Sequence, residues 1–439
     1  MRFMLLMSVV LVSALTDAGE VFRDDFSGMA ERFFMGEDNL ASKLEMTPSE
    51  NCLEGDMEFS EQQKEVYFAM RAVTAKNRAR VRRDATEAFK LWPEKTVVYE
   101  FHPDFSPEMK AKFHEAAREY EENTCLKFTE AMDGYSGDVK PLLVHSKKKG
   151  CSSTIGGPGG NLNLEEKMCG HFGVILHELG HSLGRYHEQT RSDRDEHVSI
   201  IEENIKSSYS HNFKIADRPL LVIYDLQSIM HYSSDAFSKD GRSETIIPKK
   251  ESEKLKMGLQ KRLTRLDKLN LNTMYDCFEN CPEDMSDKCL NGGVPYIDCS
   301  CDCPEEYTGV FCEIFKNPPA GCGEEFVGPS GTVQTPGFKI SGGKYPSNLH
   351  CSYAIKCQEG ERVHLEFTSF NIDGYGCFYD RFETKIGSIV DEVYPDTYCG
   401  KDLNGKSLVS ETNLALMTFI SDSSYNFPGF QLNYKCEPK

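Results

Sequence analysis

The segment His177-Glu178-Leu179-Gly180-His181 contains two histidines four residues apart and an acid directly after the first. On an α-helix, residues four apart share a face, so both imidazoles can reach one metal ion. Gly184 can end this helix with a positive φ and turn the chain, which would bring His187 round as a third ligand. Three neutral histidines leave one position of a zinc ion for water, and that arrangement is typical of a catalytic site.

Zinc chemistry then assigns a role to the acid. Zinc lowers the pKa of its water to roughly 7 and polarises a scissile carbonyl group. Glu178 is placed to take the proton of that water and to pass it to the departing amine. A lone H-E-x-x-H also arises by chance, but H-E-x-x-H-x-x-G-x-x-H adds a turn glycine and a third histidine as independent requirements. We therefore predict a zinc-dependent hydrolase of peptide bonds.

The N-terminus and the cysteines predict a secreted, extracellular protein. Residues 1–18 have a positive charge at Arg2 and a short apolar run that ends at Leu15, which is typical of a cleaved signal peptide. A buried N-terminal helix is the alternative. Seventeen cysteines favour an oxidising compartment. Nothing later in the chain is apolar for long enough to cross a bilayer. The net charge of −19 argues against a nucleic-acid partner.

Residues 19–83 are predicted to be a propeptide that ends in a basic run. Arg80-Val81-Arg82-Arg83 has the pattern that convertases of the secretory pathway cut. A cut after Arg83 would make Asp84 the new N-terminus, and an activating convertase-type protease is then a partner. A solvated basic surface is the alternative interpretation.

Three further regions follow the propeptide. Residues 84–279 mix predicted strands, such as Thr96–Phe101, with a helix that begins after the cap Ser106. Residues 280–313 contain six cysteines, too many for a core-driven fold of that length, so this segment must be held by disulfides. Residues 322–438 alternate apolar and polar positions, as at Val363–Phe367, and predict an antiparallel β-sandwich.

The run His177–Val198, HELGHSLGRYHEQTRSDRDEHV, resembles the signature of the astacin family of metzincins, and Ser228–Tyr232 is similar to the Met-turn of that clan. The resemblance implies an α+β metzincin catalytic domain. It also implies that Tyr232 is an extra zinc ligand that swings away to help bind the oxyanion. Glu188 would lie buried and meet the N-terminal ammonium of Asp84 after cleavage.

In astacin precursors, a propeptide aspartate in a Phe-x-Gly-Asp motif occupies the zinc. Leu53-Glu54-Gly55-Asp56-Met57 is similar to that motif, which implies that Asp56 is the zinc ligand of the latent form. Phe34-Met35-Gly36-Glu37 is a second near-match with the wrong acid. A Cys52 thiolate would also bind zinc well, although this cysteine can equally be unpaired and without a role.

The C-terminal regions resemble two modules of extracellular proteins, an EGF-like domain at 280–313 and a CUB domain at 322–438. These resemblances imply a spacer followed by a β-sandwich. They also imply calcium ligands at Asp373, Asp380 and Asp422, and surface aspartates without an ion are the alternative. The astacin, EGF-like and CUB patterns together imply disulfides between Cys125 and Cys277, Cys151 and Cys169, Cys281 and Cys299, Cys289 and Cys301, Cys303 and Cys312, Cys322 and Cys351, Cys377 and Cys399, and, most simply for the two extra cysteines, Cys357 and Cys436.

Three functions are compatible with these features. The first is a zymogen of a metalloendopeptidase that cuts extracellular proteins and recruits matrix or protein partners through its CUB domain. The second is a catalytically inactive adhesion protein that acts through the CUB domain. The third is a structural zinc protein, which an open metal position disfavours. Intact Glu178 and Tyr232 favour the first over the second, because an inactive relative is free to lose them.

Overall fold

The computed structural model describes residues 52–54, 56–59, 63–64, 90–132, 134–249, 257–258, 261–281, 285, 288–316, 322–374, 377, 379–387 and 395–439. The predicted signal peptide at 1–18, most of the predicted propeptide, and Arg83 and Asp84 lie outside the described residues. Within these ranges, the helices are all too short or too polar for a bilayer crossing.

A seven-stranded mixed sheet organises the N-terminal half, with the strand order β1-β2-β6-β7-β5-β3-β4. The central strands β4, β3, β5 and β7 run parallel to one another, whereas β6 is antiparallel to β7. The strand β2 is parallel to β6 and covers its outer edge. The strands are β1 Cys52–Glu54, β2 Met57–Glu58, β3 Thr96–Phe101, β4 Lys127–Glu130, β5 Leu142–His145, β6 Cys151–Thr154 and β7 Asn161–Leu164.

Helices pack against this sheet, and one of them carries the H-E-x-x-H motif. The helix α1 begins where the sequence predicts, because the Ser106 side chain accepts a hydrogen bond from the Met109 amide and proline occupies the first helical position. The remaining helices are α2 Glu166–Cys169, α3 Phe172–Ser182 and α4 Arg265–Met274, after α1 Pro107–Asn123. Short 3-10 turns lie at Pro93–Lys95, Glu188–Thr190, Arg194–Glu196, Glu202–Asn204 and Ser207–Phe213. A two-stranded sheet pairs β8 Val198–Ile200 with β9 Ile246–Pro248.

The helix α3 lies at the centre of this half. Every residue from Gly173 to Ser182 is buried, which explains why its apolar residues are continuous rather than confined to one stripe. The Tyr120 hydroxyl of α1 donates to the Leu176 carbonyl at 2.7 Å, so a polar atom inside this core is satisfied. The helix that carries the metal ligands is therefore held rigidly on all sides.

The C-terminal region is a β-sandwich, as the alternating pattern predicts. One sheet has the order β14-β16-β21-β18-β19 and the other the order β15-β22-β17-β20. All pairs are antiparallel except β14 with β16. The strands are β14 Glu325–Val327, β15 Ser330–Gln334, β16 His350–Lys356, β17 Glu361–Asn371, β18 Arg381–Lys385, β19 Asp396–Tyr398, β20 Ser407–Val409, β21 Leu414–Ile420 and β22 Gly429–Pro438.

Two small hairpins build the cysteine-rich segment between these halves. They pair β10 Val294–Pro295 with β11 Cys301–Asp302, and β12 Tyr307–Thr308 with β13 Ile314–Phe315. Tyr307 of this segment shares a buried apolar cluster with Leu414 and Leu416 of the sandwich. The module that the sequence predicts to be a spacer thus packs against the β-sandwich.

Eight disulfides link cysteines within the described part of the chain. The N-terminal half contains the disulfides Cys125–Cys277 and Cys151–Cys169. The other six bonds are Cys281–Cys299, Cys289–Cys301, Cys303–Cys312, Cys322–Cys351, Cys357–Cys436 and Cys377–Cys399. These are the same pairings that the family resemblances imply. The small hairpin segment needs them, because it is too short to be stabilised by an apolar core alone.

Candidate active site

Two glycines allow α3 to present its histidines. A Cβ atom on Gly180 would lie 2.6 Å from the Met230 sulfur, so only glycine lets Met230 pack directly against this turn of the helix. Gly184 follows the helix with φ +97°, a conformation that favours glycine. The chain therefore turns sharply after α3 and returns with His187, as the spacing predicts.

The three imidazoles converge on one point. Their ring centroids lie 4.7 Å apart for His177 and His181, 5.3 Å for His177 and His187, and 4.7 Å for His181 and His187. All three side chains are buried. Their ligand atoms and an oxygen of Asp56 lie within 4.8 Å of one another. The helix and the turn thus bring the three histidines together, and Asp56 joins them from a segment more than a hundred residues earlier in the chain.

Backbone carbonyls determine which ring nitrogens face that point. The Nδ1 of His177 lies 2.7 Å from the Ile229 carbonyl, and the Nδ1 of His181 lies 2.7 Å from the Arg185 carbonyl. A carbonyl can only accept, so each Nδ1–H donates and each Nε2 carries a lone pair. Burial lowers the pKa of His181 to about 4, which keeps this ring neutral at neutral pH. Neutral imidazoles with oriented Nε2 atoms are what a zinc ion requires, so the residues fit the metal.

Asp56 reaches this cluster from the neighbouring strand region. Its Oδ2 lies 3.2 Å from His177 Nε2, and its Oδ1 lies 3.2 Å from His181 Nε2 and 3.0 Å from His187 Nε2. Burial alone would raise the pKa of Asp56, but its electrostatic interactions with the three histidines and its hydrogen bond with His177 hold that pKa well below its usual range. A carboxylate oxygen is a suitable zinc ligand, so Asp56 lies where it would complete a four-ligand site.

Glu178 is buried beside this cluster. Burial raises the pKa of its carboxyl well above the usual range, and the neighbouring Asp56 carboxylate raises it further. Two carboxyl groups in one buried site disfavour double ionisation, so the presence of Asp56 favours the protonated form of Glu178. Removal of Asp56 would remove this electrostatic penalty on the anion.

Tyr232 lies at the same site but contacts a histidine. Its hydroxyl is 3.4 Å from His187 Nδ1, and the two ring centroids are 4.4 Å apart. The phenol is buried, and its amide donates to the side-chain oxygen of Gln189 at 3.2 Å. The structure thus brings Tyr232 next to the metal cluster while Asp56 lies over the histidines.

The turn before Tyr232 depends on a buried acid that the sequence analysis missed. Asp267 accepts hydrogen bonds from the Ser228 hydroxyl at 2.6 Å and from the Ile229 amide at 2.8 Å. It also accepts from Arg185 at 3.1 Å, and with Thr264 it forms the capping box of α4. The pattern Thr264-x-x-Asp267 is the sequence signal for the cap, but it contains no hint of the contact with the turn.

Glu188, the residue after His187, is buried. Its Oε1 accepts from Arg191 Nη1 at 2.8 Å and from the Asp225 amide at 3.1 Å. A cavity of about 50 Å³ adjoins this carboxylate, lined in part by Arg218 and Asn270. In the described residues, the carboxylate predicted to meet the new N-terminus is held by an arginine, and space remains beside it.

The strand β2 occupies the edge of the sheet next to the metal cluster. The Ser153 amide donates to the Asp56 carbonyl at 3.0 Å, and the Ile155 amide donates to the Glu58 carbonyl at 3.1 Å. Met57 is fully buried against Ile155. This segment therefore blocks the edge of β6 along which an extended peptide could pair.

The three aspartates predicted to bind calcium lie in one network of the sandwich. Asp380 is buried; it accepts from the Asp422 amide at 2.7 Å and from the Tyr345 hydroxyl. Asp373 joins through its amide, which donates to the Tyr345 hydroxyl at 3.3 Å. Burial and the charges of Asp422 and Asp373 raise the pKa of Asp380 despite these hydrogen bonds. Among the described residues, the groups with ligand atoms within 4.8 Å of one another do not include these three.

Comparison with known proteins gives two family matches. Residues 84–276 match the astacin peptidase family, and residues 322–434 match the CUB domain. Blastula protease 10 of Paracentrotus lividus is 31% identical over 400 residues, which cover 87% of this chain and 64% of that protein. Zinc metalloproteinase nas-36 of Caenorhabditis elegans is 30% identical over 393 residues, which cover 87% of this chain and 62% of that protein.

The chain thus spans less than two thirds of the length of these two relatives. Among solved structures, the hatching enzyme zinc-protease HCE-1 of Oryzias latipes is 33% identical and covers 44% of this chain and 96% of its own, with a TM-score of 0.40. The matched signature, the converging histidines and the β-sandwich agree on the family of each domain. Residues 84–276 therefore form a domain of the astacin family of zinc metallopeptidases, and residues 322–434 form a CUB domain.

Proposed function

We propose that this chain is the precursor of a zinc metalloendopeptidase that hydrolyses extracellular proteins. The observation that carries the proposal is the convergence of three buried histidine side chains beside the buried Glu178. When bound, zinc supplies a Lewis acid for the scissile carbonyl and lowers the pKa of a water molecule. The domain combination and the disulfides are typical of extracellular proteins.

Side chains of this chain bind the metal, transfer the proton and stabilise the oxyanion. His177, His181 and His187 hold the metal, and their carbonyl partners keep the rings oriented. Glu178 takes a proton from the attacking water and gives it to the departing amine nitrogen. Tyr232 donates a hydrogen bond to the oxyanion after it moves from His187. In the CUB domain, we propose a surface that recruits matrix or protein partners.

Latency is proposed to rest on Asp56. This carboxylate occupies the point that the three histidines share, and the attached strand covers the edge of β6. The segment therefore excludes both the attacking water and an extended substrate. The Cys52 side chain lies outside the described residues, so the alternative thiolate ligand has to be distinguished by mutation.

Activation is proposed to require cleavage after Arg83. The ammonium of Asp84 would then enter the cavity beside Glu188 and pair with its buried carboxylate. Arg191 holds that carboxylate in the present structure, so the new N-terminus must share it with the arginine. This pairing would order the wall of the site next to His187.

Replacement of Glu178 by Ala should abolish peptide hydrolysis by the protein cut after Arg83. A positioned general base contributes roughly 10²–10⁴-fold to the rate, so kcat/KM should fall by at least that range. The measurement is cleavage of a random peptide library, with zinc content determined in parallel. Glu166→Gln, an exposed acid on α2, is the matched control and should keep full activity. A chelator should also stop cleavage. A zinc-loaded protein that cuts no peptide would favour the inactive adhesion protein.

Replacement of Asp56 by Ala in an uncut precursor should release peptidase activity. The precursor is kept intact by Arg83→Ala, and cleavage of the same library is measured over time. Activity is expected because the three histidines then lose the carboxylate that covers them. Cys52→Ser should leave the precursor latent. If the Asp56 variant stays latent and the Cys52 variant becomes active, the thiolate is the inhibitory ligand.

A form that begins four residues early, at Arg80, should be less active than the form that begins at Asp84. We expect kcat/KM to differ by about tenfold or more, since the extended chain cannot place an ammonium at the buried Glu188. Glu188→Gln should lower the activity of the form that begins at Asp84 and remove the difference between the two. Equal activity of the two unmodified forms would contradict the coupling.

Calcium should raise the melting temperature of the full-length protein through the CUB domain. Asp373, Asp380 and Asp422 supply carboxylates, and calcium offsets their mutual repulsion. The raised pKa of Asp380 means that protonation competes with the ion, so the calcium effect should fade as pH falls. Asp380→Asn should abolish the shift, whereas Glu359→Gln, an exposed acid of the same domain, should not. A calcium titration without any change in melting temperature would overturn this site.

A further inference from the structure

Two buried side chains at the turn Ser228–Tyr232 have no role in metal binding or proton transfer. One is His231, which directly precedes Tyr232 and is fully buried. The other is Tyr224, which is also buried. The Nδ1 of His231 lies 2.7 Å from the carbonyl oxygen of Tyr232, and its Nε2 lies 2.8 Å from the hydroxyl of Tyr224. Both nitrogens of this ring therefore have a hydrogen-bond partner.

The chemistry of the partners determines the direction of both hydrogen bonds. The carbonyl of Tyr232 can only accept, so the Nδ1–H of His231 donates to it. Burial favours the neutral ring, whose Nε2 then accepts from the Tyr224 hydroxyl. The Tyr232 amide is held separately, since it donates to the side-chain oxygen of Gln189 at 3.2 Å. Side chains thus bind both backbone polar groups of Tyr232.

Tyr224 has a defined position from which its hydroxyl reaches His231. Its ring stacks on the ring of His197, with the centroids 4.6 Å apart and the planes within 6°. The guanidinium carbon of Arg191 lies 5.5 Å from the centroid of the Tyr224 ring. The same arginine donates to Glu188 at 2.8 Å. The donor that orients the His231 ring is therefore preorganised.

The backbone of Tyr232 matters because its phenol has to reach one point. In the present structure, the hydroxyl lies 3.4 Å from His187 Nδ1, and the proposed mechanism requires it to move to the oxyanion. A side chain that moves in this way turns about a backbone that stays fixed, since a displaced Cα atom would carry the hydroxyl with it. A misplacement of about 1 Å can cost about 10²-fold in rate.

We propose that His231 and Tyr224 are positioning residues that fix the backbone of Tyr232 for its contact with the oxyanion. This inference rests on the proposed peptidase function and assigns neither residue a contact with the substrate. A buried polar pair that supports only the fold is the alternative. The two roles differ in one respect, because a positioning role depends on the phenol of Tyr232 and a role in the fold does not.

A double-mutant cycle tests whether the pair acts through Tyr232. We measure kcat and KM of the form that begins at Asp84 with Tyr224→Phe, with Tyr232→Phe and with both changes. Tyr224→Phe alone should lower kcat about tenfold and leave KM nearly unchanged, as expected for an interaction made only in the transition state. In the Tyr232→Phe background, it should cause no further loss. Equal losses in both backgrounds would overturn the proposal.

Tyr99→Phe is the matched control for this cycle. It also removes the hydroxyl of a buried tyrosine from a histidine, because the Tyr99 hydroxyl lies 3.1 Å from His114 Nε2. Its kcat should equal that of the unmodified enzyme. Melting temperatures and zinc contents of both Phe variants are compared, so that a loss of kcat in Tyr224→Phe is not attributed to unfolding.

Replacement of His231 separates its two hydrogen bonds. His231→Phe removes both, whereas His231→Asn keeps an N–H close to the position of Nδ1. We expect His231→Phe to lower kcat about 100-fold and His231→Asn about tenfold, because the asparagine amide can again donate to the Tyr232 carbonyl. Equal losses in the two variants would contradict the role of this donor.

Binding of a transition-state mimic tests the positioning without turnover. The zinc-loaded protein that begins at Asp84 and carries Glu178→Ala is titrated with a phosphinic peptide, whose tetrahedral anion resembles the oxyanion, and with the amide peptide of the same sequence. Tyr224→Phe should weaken binding of the phosphinic peptide about tenfold and leave the affinity for the amide peptide unchanged.

The outcomes separate this proposal from the proposed activity. If Tyr224→Phe changes the affinity for both peptides equally, or for neither, the positioning role is overturned while measured cleavage by the unmodified enzyme still supports the peptidase. If binding of the phosphinic peptide depends on Tyr224 but the protein with an intact Glu178 cleaves no peptide, the positioning role is supported and the proposed activity is overturned.

Discussion

The structure of the N-terminal half depends on one constraint. Three imidazoles must present unprotonated Nε2 atoms to one point inside the protein. Backbone carbonyls of Ile229 and Arg185 satisfy this constraint for two rings by accepting from Nδ1. Ile229 is positioned by Asp267, which also caps α4. The metal site, the turn beneath it and the last helix of this half are therefore one hydrogen-bonded unit.

Residues 56–59, which we propose to form an inhibitory segment, place acidic side chains against the site that they cover. Two acids of this segment are buried, and each lies next to groups of the catalytic half that compensate for its charge. Asp56 lies among the histidines, and Glu58 contacts Lys148 and Ser152. Backbone pairing with β6 places both acids at once. An extended substrate that pairs with the same edge of β6 would therefore compete with this segment.

In this structure, the hairpin segment contacts both the N-terminal half and the β-sandwich. The C-terminal modules are therefore not a freely hinged tail. Arg265 of α4 lies 3.7 Å from the Asp302 carboxylate of the hairpin segment. That segment in turn packs against the sandwich, where Lys385 donates to the buried Glu306 at 2.9 Å. The two side chains of this ion pair are almost inaccessible to solvent. The pair is costly to break, because either partner alone would be an uncompensated buried charge. The contacts give the sandwich a defined position relative to the hairpin segment.

Local patterns of residues were enough to predict the metal chemistry, the fold class of each region and the sharp turn at Gly184 after the ligand helix. Histidines four apart share a helical face and a positive φ favours one residue type, so these properties need no distant partner. The groups that support them became known only from the folded chain. Asp267 contacts a turn 38 residues away, and Lys148 meets Glu58 across 90 residues. Such contacts follow from strand register and packing, which no local pattern encodes.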